Sequence, residues 1–382
     1  MRSLAVLIIL VASACQNGAA RTSTKRDAGT PVIADAQPSV DLASAKLTYL
    51  KLCAPCHGAD GKGYAADFAP SLVNTAFLES ASDDFIRRSI VFGRPGTSMG
   101  AYGKALGGPL DDAELEKVVA WIRAQGPKAK TLDAAGIGDV ASGAKLYTEY
   151  CKTCHGDPAK RGEAPHLANA QFLNMATDAF IRYAVEVGRP GTKMNAFGTV
   201  MTPAQLDDVT AYVRSLAQAA ALQQALLPEP TGKEPLVINP KGKNPDWKPR
   251  DGKFIGVDAV AQALKEKRKL IILDARSPSE WRRVHVEGAI SMPHYDPKRI
   301  DEVVAKHKDT YVIAYCACPH HLSGELVMEL TKRGHTKALV LDEGINLWHQ
   351  KNYPVAAAPG VTVPPLDPHQ GSGATGHEGH GH

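Results

Sequence analysis

Aromatic residues are scarce: Phe, Trp and Tyr make up 6% of the 382 residues, while Gly (34) and Pro (26) are common. That composition argues against one large ring-filled core and suits short helices joined by loops around a cofactor; the length points to two or three domains. Charge of one sign is also lacking. A formal net charge of +4 makes no case for nucleic acid and no strong one for an anionic membrane surface. The apolar stretch at the start, Leu4 to Ala12, is too short to span a bilayer. Cysteine is limited to seven, and each has a place: two pairs, one at the end of the apolar stretch, and two close together near the C-terminus. None is left for a structural disulfide, so stability has to come from packing and from bound groups.

Two five-residue stretches organise the chain. Cys53-Ala54-Pro55-Cys56-His57 and Cys151-Lys152-Thr153-Cys154-His155 both read C-x-x-C-H, the spacing for covalent attachment of a c-type haem. Two thiols add to the porphyrin vinyl groups, and the following His57 or His155 lies under the iron as an axial ligand. A zinc knuckle or a redox disulfide is the other use of C-x-x-C, but zinc needs a second ligand pair near each motif and neither motif has one.

The surroundings repeat as well. Tyr49 and Tyr147 precede the motifs. Phe77-Leu78 matches Phe172-Leu173, and Phe85-Ile86-Arg87 matches Phe180-Ile181-Arg182. The strongest match sets Gly93-Arg94-Pro95-Gly96-Thr97-Ser98-Met99 against Gly188-Arg189-Pro190-Gly191-Thr192-Lys193-Met194. A thioether suits ferrous haem and raises its potential, and Pro and Gly can hold it in a tight loop, so Met99 and Met194 are expected as the sixth ligands. Met175 and Met201 have no counterpart in the first copy and read as packing. Asp111-x-x-Glu114 and Thr202-x-x-Gln205 look like capping boxes that open a final helix in each copy, the second with Pro203 at its first position. Each repeat resembles a class I cytochrome c domain, over residues 42–126 and 140–218. The resemblance implies an all-α fold and two covalently bound haem c groups, ligated by His57/Met99 and His155/Met194.

The remaining segments complete the organisation. Arg2, the apolar stretch and Ala12-Ser13-Ala14-Cys15 have the layout of a signal peptide over residues 1–15. Small residues directly before Cys15 resemble a bacterial lipoprotein cleavage site. That implies lipidation of Cys15 and a protein anchored on the periplasmic side of a membrane; cleavage after Ala14 would instead release it soluble into the periplasm. Residues 16–41 read as a flexible tether and residues 228–251, rich in Pro, Lys and Gly, as a linker. Residues 359–382 read as a disordered tail, in which His377-x-x-His380-x-His382 is a weak metal-binding pattern.

In between, apolar runs at 270–273, 311–315 and 338–341 alternate with helical stretches at 257–265, 299–307 and 323–333, the pattern of a parallel α/β sheet. The second run leads straight into Cys316-Ala317-Cys318-Pro319-His320-His321. A thiol between a strand's carboxyl end and a helix N-terminus is set up for a lowered pKa and for reactivity. Leu273-Asp274-Ala275-Arg276-Ser277, Glu280-Trp281, His285 to Ile290, the Cys loop, and Gly344 to Trp348 with Tyr353-Pro354 together resemble the rhodanese family, over residues 252–358. The resemblance implies sulfane-sulfur binding or transfer at Cys316, with Asp274, Arg276 and His285 structural. The loop departs from the family by carrying a second thiol, Cys318, a Pro and two His, with no Arg at the position of His321; His320 and His321 read as solvated loop residues, the other reading being that they position a proton. Cys316 and Cys318 could instead form a strained, easily reduced disulfide.

The expected protein is therefore an exported dihaem electron carrier that exchanges electrons with a respiratory partner protein and is coupled to a small sulfane-sulfur molecule at Cys316. The competing reading keeps the electron transfer and makes the rhodanese-like part a docking or sensing module. Cys15→Ser should move the protein from the membrane fraction to the soluble periplasmic fraction; unchanged membrane retention would refute the lipid anchor.

Overall fold

The computed structural model describes residues 41–363, apart from 65–67, 159, 217–229, 231, 297–298 and 318–319. The first repeat begins with α1 (Leu42–Leu52), where the Asp41 carboxylate accepts from the amides of Ala43 and Ser44. Cys53 ends α1 and starts α2 (Ala54–His57), which leads to α3 (Thr75–Ser80) and α4 (Asp83–Phe92). After the methionine loop and a 3₁₀ turn at Lys104–Leu106 comes α5 (Asp112–Arg123). The second repeat copies this order as α6 (Val140–Tyr150), α7 (Lys152–His155), α8 (Ala170–Met175), α9 (Asp178–Val187) and α10 (Pro203–Ser215). It adds a small hairpin, β1 (Gly156–Asp157) with β2 (Lys160–Arg161).

Both predicted capping boxes form, Asp111 with Glu114 and Thr202 with Gln205, and each satisfies two otherwise orphaned amides reciprocally. In each copy the last helix crosses the first. Tyr49 stacks on Trp121 at 3.9 Å between ring centres, and Tyr147 meets Tyr212 at 5.1 Å. Met175 and Met201 are buried core residues, as the packing reading expects.

The third region is an α/β domain. It comprises β3 (Phe254–Ile255), α11 (Val257–Lys265), β4 (Ile271–Asp274), α12 (Pro278–Arg283), β5 (His285–Val286), β6 (Ile290–Ser291) and α13 (Ile300–Lys306). It continues through β7 (Val312–Tyr315), α14 (His321–Lys332), β8 (Ala338–Leu341), α15 (Gly344–Gln350) and β9 (Val355–Ala356). Five strands form a parallel sheet in the order β3-β8-β7-β4-β6, and β5 pairs antiparallel with β9. The three central strands β4, β7 and β8 are buried at every position, which is why they read as continuous apolar runs. Helices α13 and α14 cover one face, α11 and α15 the other. Strands β3, β5, β6 and β9 are two residues each, too short to leave a periodic signal.

The stretch read as a linker does more than connect. Ile238 pairs with Leu270 through two main-chain bonds of 2.8 and 3.1 Å, and Trp247 packs against Tyr311. Its few apolar residues are thus drawn onto the domain. All the described residues belong to one compact unit, and none of their helices is long and apolar enough to cross a membrane. Cys15 and the histidines of the tail lie outside the described residues.

Asp274 and Arg276 form a buried ion pair at 2.6 Å, to which Tyr315 Oη donates at 2.7 Å and the Arg276 amide at 3.0 Å. Arg276 also reaches the Val284 carbonyl at 2.6 Å, which ties the end of β4 to the start of β5. Breaking a buried pair strands the surviving charge, at a typical cost of about 3–5 kcal/mol. Asp274→Ala should lower the unfolding free energy of the third domain by about that much in denaturant titration; a loss under about 1 kcal/mol would show that the pair does not hold this corner.

Candidate functional site

Each C-x-x-C-H is one helical turn hung from the first helix. The Cys53 amide donates to the Tyr49 carbonyl at 2.8 Å and the His57 amide to the Cys53 carbonyl at 2.9 Å; the second copy repeats both bonds at 2.9 Å. The preceding tyrosine closes the turn from above, with Tyr49 Oη donating to the Gly58 carbonyl at 2.8 Å and Tyr147 Oη to that of Gly156 at 2.9 Å. His57 Nδ1 lies 2.8 Å from the Pro70 carbonyl, and His155 Nδ1 lies 2.8 Å from that of Pro165. A carbonyl only accepts, so Nδ1 carries the proton and Nε2 keeps its lone pair. Burial holds both imidazoles below their ordinary pKa, which favours the neutral, ligating form.

All four motif cysteines are unbridged. Burial pushes the Cys53 thiol up to about 12 and that of Cys151 up to about 11. Thiols so placed are poor free nucleophiles, unlike those of a redox C-x-x-C. Among the described residues, no group of three or more His, Cys, Asp or Glu side chains is placed to hold a bare metal ion.

The methionine loops are built alike. Gly93 and Gly188 have φ of +63° and +68°, and a Cβ on Gly93 would lie 2.4 Å from the Met99 carbonyl oxygen, so only glycine fits. The Arg94 amide donates to the Met99 carbonyl at 2.7 Å; the Met99 amide donates to Thr97 Oγ1 at 3.1 Å, and Thr97 Oγ1 donates on to the Arg94 carbonyl at 2.8 Å. Arg189, Thr192 and Met194 repeat the arrangement at 2.9, 3.1 and 2.8 Å. The repeat displayed these threonines, but their role as the pin of the loop needed the hydrogen bonds.

Arg94 and Arg189 are the other residues whose role sequence reasoning missed. Burial lowers both guanidinium groups to about 10, and among the described residues neither has a carboxylate partner. A half-buried cation of this kind fits a group that brings its own carboxylates, as a haem does through its propionates. Imidazole nitrogen, thioether, paired thiols and half-buried cation together fit a covalently bound c-type haem. When bound, the haem supplies one-electron transfer; the chain supplies its attachment, its axial donors and its dry surroundings.

The copies face each other about an approximate two-fold axis. Asn74 Nδ2 donates to the Pro190 carbonyl at 2.8 Å, and Asn169 Nδ2 donates to that of Pro95 at 2.9 Å. The same asparagines cap α3 and α8. Between them Phe85 and Phe180 stack at 4.8 Å, with Phe77 and Phe172 edge-on.

In the third domain Cys316 follows β7 directly and is 1% exposed, with Sγ 3.4 Å from Ser323 Oγ in the first turn of α14. Gly344, at φ +63°, passes so close that a Cβ there would lie 2.4 Å from the Cys316 carbonyl oxygen. Asn346 Nδ2 donates to the Ala317 carbonyl at 2.8 Å, fixing the start of the loop. Cys318 lies outside the described residues. His320, read from the sequence as a solvated loop residue, instead has Nε2 2.6 Å from Asp342 Oδ1 and its ring 4.4 Å from that of Phe254. The cause is its φ of +71°, which turns the side chain back onto the sheet edge. Asp274 and Arg276 form the buried pair described above, and His285 stacks on Trp281 at 4.1 Å, so all three hold structure.

Two family models match this chain. Cytochrome C oxidase, cbb3-type, subunit III covers residues 40–122 and 138–213, and the rhodanese-like domain covers residues 257–351. The chain carries cytochrome c domains of the cbb3 type and a rhodanese-like domain. Covalently bound haem c follows from the former. Among curated relatives, the cbb3-type cytochrome c oxidase subunit FixP of Azorhizobium caulinodans is 30% identical over 47% of this chain and 60% of its own length. The thiosulfate dehydrogenase electron acceptor of Stutzerimonas stutzeri is 28% identical over 44% of this chain and 79% of its own. A solved rhodanese-like domain from Anabaena aligns with 29% of this chain and 80% of its own, at 21% identity and a TM-score of 0.26. The chain spans about three fifths of the length of the oxidase subunits it matches.

Phe180 is buried at the centre of the contact between the copies. Phe180→Ala should cost about 3–5 kcal/mol and separate the unfolding of the two cytochrome domains; a single cooperative transition with a loss below about 1 kcal/mol would show that this contact does not join them.

Proposed function

We propose that this protein is an exported dihaem c-type cytochrome that moves electrons between a sulfane-sulfur site at Cys316 and a respiratory partner protein. His57 with Met99 and His155 with Met194 bind the two irons, and the four motif cysteines hold the porphyrins. The apolar N-terminal stretch directs the chain to the periplasmic side of a bacterial membrane, where Cys15 anchors it.

One observation carries the sulfur half of this reading. Helix α14, which follows the Cys316 loop, packs against the attachment helix α2, so a thiol loop and a haem-binding turn share one compact unit. The printed name of the Stutzerimonas relative, an electron acceptor of thiosulfate dehydrogenase, joins the same two chemistries. Potential sets the direction. Thiol couples lie at about −200 to −300 mV, and His/Met ligation raises that of a haem, so electrons run from sulfur to iron.

The docking reading is favoured by the 1% exposure of Cys316 and by the missing arginine in its loop. The two separate in one experiment. Ferric holo-protein is titrated with hydrosulfide and with polysulfide while haem absorbance is followed and Cys316 is trapped for mass analysis. The proposed function expects haem reduction with a one-sulfur mass gain at Cys316, both lost in Cys316→Ser. Haem reduction that is identical in Cys316→Ser, with an unmodified thiol in the wild type, would leave a pure electron carrier.

A further inference from the structure

The two methionine loops have the same residues up to the ligand, apart from Ser98 against Lys193, and then diverge. Met99 is followed by Gly100-Ala101-Tyr102-Gly103, Met194 by Asn195-Ala196-Phe197-Gly198. The backbone is unchanged across this difference: Tyr102 N donates to the Ile90 carbonyl and Phe197 N to that of Val185, both at 3.0 Å. Burial is what differs. Gly100, Ala101 and Gly103 are buried, whereas Asn195, Ala196 and Gly198 are exposed.

The cover over the first loop is the third domain. Ala101 N donates to Ser279 Oγ at 3.3 Å, and Arg282 Nη1 donates to the Leu106 carbonyl at 3.2 Å. A Cβ at Gly100 would lie 2.5 Å from Ser277 Oγ and 2.6 Å from Glu280 Oε2, so the asparagine of the second loop would have to displace both side chains here. Tyr295, 7% exposed, is part of the hydrophobic cluster of the cytochrome region, with its ring 6.0 Å from that of Tyr102. Its hydroxyl is buried and has no hydrogen-bond partner among the described residues. On the other side of the contact α14 packs against α2, and Ser323 of α14 touches Cys316 Sγ. The third domain therefore meets the first haem site at its methionine loop and, through α14, the helix that follows the Cys316 loop, at its attachment turn. The second methionine loop stays open to solvent.

We infer that the first haem site is the electron port of Cys316 and the second is the outlet to the partner protein. The inference rests on the proposed function and gives it an order. In the step it describes, the Cys316 thiolate and hydrosulfide join: one S–S bond forms, one S–H bond breaks, and the proton leaves to water. Cys316–S⁻ + HS⁻ gives Cys316–S–S⁻ + H⁺ + 2e⁻. The two electrons match two ferric haems, one each, passing in turn through the site held by His57 and Met99 to the site held by His155 and Met194. The partner protein then discharges them at the exposed second loop.

The test gives the first loop the residues of the second. In full-length holo-protein, Gly100→Asn with Tyr102→Phe should keep both haems and loosen only the docked face. Rapid mixing with hydrosulfide should then show haem reduction slowed at least tenfold, and potentiometric titration should show one midpoint shifted and the other unchanged. Tyr295→Phe, which removes only the unpartnered hydroxyl, should shift the same midpoint. A second pair of variants assigns the order. Cys151→Ala with Cys154→Ala should leave fast reduction of the remaining haem, and Cys53→Ala with Cys56→Ala should abolish it. Wild-type haems silent towards hydrosulfide would overturn the proposed function and this inference together. Fast wild-type reduction that is unchanged in the loop variant, or that persists without the first haem, would overturn this inference alone.

Discussion

An imidazole whose Nδ1 proton is tied to a main-chain carbonyl can offer its other nitrogen in one direction only. Both cytochrome copies are built around that bond, from His57 to Pro70 and from His155 to Pro165. The first helix delivers the C-x-x-C-H turn, the tyrosine hydroxyl closes it, and the last helix crosses behind it. The methionine loop is pinned by a threonine two residues before Met99 or Met194. A haem needs both sides rigid, and the short helices between them are capped one after another by Asn74 and Ser82 and by Asn169 and Thr177.

The repeat also generates its own interface. Asn74 and Asn169 each cap a helix with the side-chain oxygen and reach the other copy's loop with the side-chain nitrogen. One residue type thus serves local structure and assembly together, because an amide offers both an acceptor and donors. The symmetry breaks where the rhodanese-like domain lands. Glycine replaces asparagine and tyrosine replaces phenylalanine just past the methionine, and the loop that would face solvent is covered. The corresponding loop of the second copy stays exposed.

In the rhodanese-like domain the demands on the loop are met from beneath. The ion pair of Asp274 and Arg276, with Tyr315, anchors the carboxyl ends of β4 and β7, from which Cys316 emerges. Burying two charges is costly, and here it is offset by a full set of hydrogen bonds. Gly344 and Asn346 then hold the loop from α15. Beside this loop His320 and Arg250 both bond Asp342 at the sheet edge.

The sequence by itself determined the haem motifs, the methionine loops, the two capping boxes and the three central strands. Each is a local pattern: a fixed spacing, a repeated heptapeptide, or a run that is apolar because both faces of a central strand are buried. Two-residue strands such as Phe254–Ile255 carry no such pattern and form only when a neighbour supplies the ladder. Arg94 and Arg189 were visible as letters, yet only the fold sets Arg94 over Phe85 and, from the other copy, Phe172, and Arg189 over Phe180. His320 left solvent for Asp342, 22 residues away, because the backbone turned left-handed at that point. The docking of the third domain on the first methionine loop was equally hidden. Gly100 against Asn195 is a single difference in a repeat, and it gains meaning only when Ser277 and Glu280, far along the chain, fill the space a side chain would have taken.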